Sequence, residues 1–296
     1  MSSAKQLDRE EYIEQEYFFR VYRERLAQNM PSQEILTTVQ EEILSTCRLP
    51  VAIDILRTEI LHSGRIAPAM ERMSHYFSAF QSFVIARAEE DRSRFEQRIA
   101  LQILEREARY RASEVSPAGL FMYQLECIAR NRLGYHEGLT AMAADAIYDG
   151  RWKAWFEFLK LNVGAKDLAS LVYRASENHR LRRLSQPADG ETAVVNEDSA
   201  RRPLFGNQEG RIARANIGRD PVYFFAALQR QLNYPAVPIP PKADSDQIPP
   251  AVEARLLRVE QRLKLLEMEQ RGGIDLSRYY GRHRSIEDED SSSAGA

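Results

Sequence analysis

The sequence predicts an all-α protein, and three observations carry that reading. Apolar residues recur at spacings of three and four through most of the first 184 residues, helix-starting and helix-ending residues bracket those runs, and strand-like alternation is almost absent. With 44% hydrophobic and 28% charged residues, the chain has the balance of a globular protein able to bury a core.

Asp8 and Glu11 form a capping-box pattern at the first helix start. After it, Ile13, Tyr17 and Val21 make one row and Phe18, Tyr22 and Leu26 a second. Ser32 is placed to cap a second helix, whose Ile35, Val39 and Ile43 share a face. Pro50 and Gly64 bracket a third, with Ile53, Leu56 and Ile60 inward. Pro68 opens a short helix ending near Tyr76, and one long helix is expected from about Ser78 to Ala112. Ser116-Pro117 starts the next, which stops at Gly134; shorter helices are expected at 138–148, 151–161 and 166–184. "SQPADGETAVVNEDSARRP" (185–203) is polar and turn-rich and reads as a loop. "LFGNQEGRIARANIGRD" has glycines and arginines but little periodicity, and Asp220-Pro221 then starts a helix.

These signals divide the chain into a helical bundle at 8–115, a second, shorter one at 116–184 and an arginine-bearing mobile loop region at 185–219. There follow a helix at 220–234, a proline-rich linker at 235–250, a coiled-coil helix at 251–272 and a charged, disordered tail at 273–296.

In the coiled-coil stretch, Leu256 and Leu263 take heptad position a and Val252, Val259 and Leu266 position d. Parallel pairing of two copies matches Arg255 with Glu260 and Arg262 with Glu267, whereas antiparallel pairing faces like charges. Self-association as a parallel homo-oligomer is therefore expected. Packing of the helix on its own chain is the alternative, because fewer than three heptads are present.

The two bundles resemble each other. "FFRVYRERLAQNMPSQEILTTV" (18–39) aligns without gaps to "FMYQLECIARNRLGYHEGLTAM" (121–142) at an offset of 103, and "VIARAEED" (84–91) overlies "LVYRASEN" (171–178) at an offset of 87. "GRIAPAMERM" and "GRWKAWFEFL" also share a Gly-Arg start. An internal duplication is the expected reading. The runs "LAQNMPSQEIL" and "GRIAPAMERMSHYFSAFQSFVIARAEED" are similar to the duplicated cytoplasmic helical domain of the inner-membrane platform proteins of type II secretion and type IV pilus assembly. The resemblance covers about residues 12–184 and implies a helical scaffold that touches other proteins. This chain differs in having Gln28-Asn29 in place of the family's small-residue turn, and it shows none of the family's transmembrane helices.

No apolar run approaches the roughly eighteen residues that cross a bilayer, and "MSSAKQLDREEY" lacks the apolar core of a signal peptide. Cys47 and Cys127 form no metal or redox pattern, so a reducing, cytoplasmic location is expected. The 41 basic and 43 acidic residues leave a net charge of −2, so polyanion binding could rest only on a local patch. Arg180, Arg182, Arg183, Arg201, Arg202, Arg211, Arg214 and Arg219 form the candidate patch, unless they pair with Glu197, Asp198, Glu209 and Asp220. Trp152, Phe156 and Leu159 trace one helical face and read as core. Glu59 and His62 have the spacing of a bundle metal ligand pair, but His62 beside Gly64 more simply meets the free carbonyls of a helix end. There is no nucleophile elbow, phosphate loop or dinucleotide fingerprint, so no catalytic residue, cofactor or metal is assigned. The expected function is a non-catalytic scaffold or adaptor that self-associates and binds another protein. The alternatives are nucleic-acid or phosphate-ligand binding through the arginines, or a metal-binding bundle enzyme.

Overall fold

The computed structural model describes residues 6–90, 95–113, 115–185 and 202–240. The described residues up to 240 form one compact unit, and 241–296 lie wholly outside the described residues. The coiled-coil helix expected at 251–272 and the tail at 273–296 therefore lie outside them too, as do residues 186–201 of the loop expected at 185–203, Arg201 among them.

The fold is all-α. In chain order the helices are α1 (Arg9–Ala27), α2 (Ser32–Glu42), α3 (Leu49–Ser63), α4 (Ala67–Arg72), α5 (Ala79–Glu89), α6 (Gln97–Arg111), α7 (Pro117–Asn131), α8 (Tyr135–Ala143), α9 (Gly150–Asn162), α10 (Leu168–Arg174), α11 (Glu177–Ser185), α12 (Asn207–Ala215) and α13 (Pro221–Leu232). Only two isolated bridges, Val163–Lys166 and Ser176–Phe205, interrupt this pattern among the described residues. No described helix is long and apolar enough to cross a membrane.

One apolar core runs through both groups of helices, from Phe18 to Tyr234. In α1 the second row is the inner one: Phe18 and Tyr22 are buried with Phe19 and Val21, whereas Ile13 is exposed. α1 lies along α6, and at its flank Arg23 and Arg109 reach Glu105 and Glu16 at 3.1 and 2.8 Å. Phe121, Trp152, Phe156 and Phe205 pack together in the second group, so the Trp152–Phe156–Leu159 face is core.

Several helix ends depart from the sequence reading. Asp8 makes no side-chain cap. Glu11 is buried and accepts from the Arg48 N–H at 2.9 Å and the Tyr76 hydroxyl at 3.0 Å, so it serves the start of α3 and not its own helix. Ser32 lies one residue inside α2, after Pro31. The single helix expected over 78–112 is two, α5 and α6; Ser78 and Gln81 form the capping box that starts α5. The helix expected over 166–184 breaks at Ala175-Ser176, where the chain pairs with Leu204 and Phe205. Residues 207–215, expected as part of a loop, form α12.

The linker expected at 235–250 is pinned over its first residues. Arg106 donates to the Ala236 carbonyl at 2.5 Å, Asn131 to that of Pro238 at 3.1 Å, and the buried Tyr234 hydroxyl to Glu126 at 2.8 Å.

The α1–α2 and α7–α8 turns share a geometry. Asn29 and Arg132, 103 residues apart, are both left-handed (φ 61° and 56°). The following N–H groups, of Met30 and Leu133, bond back five residues to Arg25 and Ile128 at 3.2 and 3.1 Å. The two Gly-Arg pairs do not correspond in the same way: Gly64 follows a helix at φ 73°, and Gly150 begins one.

Candidate functional site: an arginine cleft between α11 and α12

α11 and α12 begin side by side. The Leu204 and Glu177 N–H groups bond to the Ala175 and Phe205 carbonyls at 3.0 and 2.9 Å, and the Asn178 amide donates to that of Asn207 at 2.7 Å. The bridge that joins their starts, Ser176–Phe205, is parallel. Gly210 makes the approach close enough: a Cβ there would lie 2.2 Å from the Ser176 hydroxyl oxygen and 2.6 Å from Asn178 Cβ.

Arg182 on α11 and Arg211 and Arg214 on α12 line one open cleft of roughly 440 Å³ with Asn178 and Ala215. That size falls within the range of small-ligand pockets. None of the three arginines has an ion-pair partner among the described residues. Two carboxylates named as competitors are engaged elsewhere: Glu209 accepts from Gln231 at 3.4 Å, and Asp220 caps α13 through Val222 N–H at 2.9 Å.

The electrostatics favour an anion. Each helix C-terminus carries about half a negative charge, so the two together offset roughly one of the three guanidinium charges. The arginines decide the sign of the cleft. Their planar forks match phosphate or carboxylate oxygens in pairs, which an ammonium does not. Near them, His179 stands edge-on to Tyr173 at 5.1 Å; burial, with Arg183 and Arg174, holds its pKa below the ordinary value.

The remaining candidate residues fall outside this cleft's lining. Arg180 has its Nε buried without a hydrogen-bond partner, and the Arg202 carbonyl accepts from Arg151 at 3.3 Å. Arg183 and Arg219 are exposed. Glu59 is occupied by Arg72, whose hydrogen bond holds its carboxyl below the usual range, and His62 is exposed. Gly64 closes α3 by donating its N–H to Ile60, so the end is finished by backbone. No group of three metal-ligating side chains occurs among the described residues. Sequence reading missed α12 and hence the cleft's second wall. Its one available signal was Ala213 three residues after Gly210, a small-residue face rather than an apolar one.

The chain matches no family model, no curated protein and no solved structure.

Proposed function

We propose that this protein is a non-catalytic helical scaffold that holds a phosphate-bearing partner in the α11–α12 cleft. The observation that carries the reading is the gathering of Arg182, Arg211 and Arg214 around one cleft with no carboxylate partner among the described residues. An oxyanion there replaces three mutually repelling, separately hydrated cations with charge-assisted pairs. The likeness of residues 12–184 to the platform-protein domains supports the scaffold part of the proposal.

Calorimetric titration with pyrophosphate tests it. Binding is expected to weaken with added salt and to fall by about tenfold or more on each of R182A, R211A and R214A, given the strength of hydrogen bonds to charged groups. Unchanged binding in the triple variant, or none in the parent chain, sinks the proposal.

A second reading adds self-association through residues 251–272, favoured by the Arg255–Glu260 and Arg262–Glu267 matches in a parallel register. It concerns how many copies the scaffold brings together and is compatible with the first.

A further inference from the structure

The cleft sits on an end of α11 that also exposes aliphatic side chains. Leu181 and Leu184, one turn apart, are 42% and 72% exposed, and Ile217, two residues beyond the cleft-lining Ala215, is 44% exposed. α11 fully buries none of its side chains, although it keeps an apolar stripe beside its arginines. Within 178–185 and 210–219 there are six arginines and not one acidic residue, in a chain whose net charge is −2. Glu177, Glu209 and Asp220 flank these stretches and Asp167 accepts from the Gly218 N–H at 2.8 Å, so six arginines against four carboxylates leave an excess of two positive charges at this end.

A free phosphate compound accounts for the arginines but leaves the leucines in water. A nucleic-acid backbone does the same, since its phosphodiesters offer leucine nothing to bury against. A bilayer with anionic headgroups supplies both needs at once: phosphates at the surface and apolar volume just beneath. We infer that the α11–α12 end docks on an anionic bilayer surface. Arg182, Arg211 and Arg214 hold lipid phosphates there, and Leu181 and Leu184 seat at the boundary between headgroups and acyl chains. The inference rests on the oxyanion reading of the cleft and names the source of the phosphate. The attachment is peripheral: α11 has nine residues, about half the length a spanning helix needs.

Vesicle co-sedimentation of the full chain tests this. It is expected to partition onto phosphatidylcholine vesicles carrying about one-third phosphatidylserine and not onto phosphatidylcholine alone. Replacing both leucines (L181S/L184S) should lower that partitioning at least about tenfold while leaving pyrophosphate titration unchanged. L184S alone, at the more exposed site, should give part of the loss, and circular dichroism of both variants checks that the helices persist. R211A/R214A should weaken both readouts, the vesicle one by about fivefold per arginine. If pyrophosphate binds but the mixed vesicles do not, the bilayer inference fails and the cleft reading stands. Equal vesicle binding by the leucine variants overturns the inference, as does retention of a single-stranded oligonucleotide in preference to vesicles. If neither pyrophosphate nor vesicles bind, both fall.

Discussion

Arg111, near the end of α6, has a side chain only 3% exposed and lies between Glu107 and Asp145. Its guanidinium meets Glu107 at 2.8 Å and pairs with Asp145; Gln124 also donates to Glu107 at 2.8 Å, and Tyr148 to Gln124 at 2.9 Å. Glu107 Oε2 is buried without a partner, and burial pushes the carboxyl above its usual range despite the pull of Arg111. Burial also works against the Arg111 charge, but Asp145 and Glu107 outweigh it. Substituting R111M leaves two buried carboxylates with no cation, and about 3–5 kcal/mol of stability should be lost at neutral pH. The sign with pH follows from linkage. Without Arg111 the Glu107 carboxyl, already held above its usual range by burial, rises further, so the folded chain takes up a proton that the unfolded chain releases. The deficit should therefore shrink as pH falls toward the ordinary Glu value of 4.5 and be largest well above it. Urea unfolding of parent and variant across that range checks this; a deficit that grows in acid contradicts it. Sequence gave little warning of this cluster. Glu107 and Arg111 stand four apart, the spacing of a solvated helix pair, and Asp145 arrives from a turn far along the chain.

At the scale of elements, legibility followed the kind of side chain that does the burying. Where Phe, Leu and Ile form the inner face, as in α3 and α7, the helices and their Pro starts were readable. α12 buries only Gly210 and Ala213, and glycine in a helical stretch reads as a breaker although here it is the contact residue. The α5–α6 break was hidden because apolar spacing continues on both sides of it. G210A tests the role of the close approach. Alanine gains about 1 kcal/mol in helix propensity, but the added methyl would overlap Ser176, and overpacking costs about 1–3 kcal/mol. The Ser176 hydroxyl also donates to Tyr173 at 2.6 Å, so it is not free to move aside. The expected outcome is weaker pyrophosphate binding, with Arg211 and Arg214 carried away from Arg182, and no gain in melting temperature. A more stable variant with intact binding would show that the contact sets nothing.

For the whole molecule, the all-α class was legible because the three- and four-residue spacing of apolar side chains recurs whatever the individual residues are, as in α1 and α7. The cleft was legible only as a list of arginines, since sequence places Arg182 and Arg211 far apart and it takes the Ser176–Phe205 bridge to join them. Association is the question belonging to this scale. Light scattering is expected to give the full chain a mass that is a multiple of the monomer, and a chain ending at Ile248 the mass of one copy. A monomer in both cases removes the coiled-coil reading.

The Arg111 cluster has one further consequence. Arg111 and Glu107 precede the junction at 115/116, whereas Asp145, Gln124 and Tyr148 follow it. Asp145 in the second segment has its cation, Arg111, in the first, and Glu107 in the first takes a hydrogen bond from Gln124 in the second, so partial unfolding of either leaves buried charge unsatisfied in the other. Residues 8–184 should accordingly melt in a single cooperative transition, with no long-lived species in which one helical group is native and the other denatured.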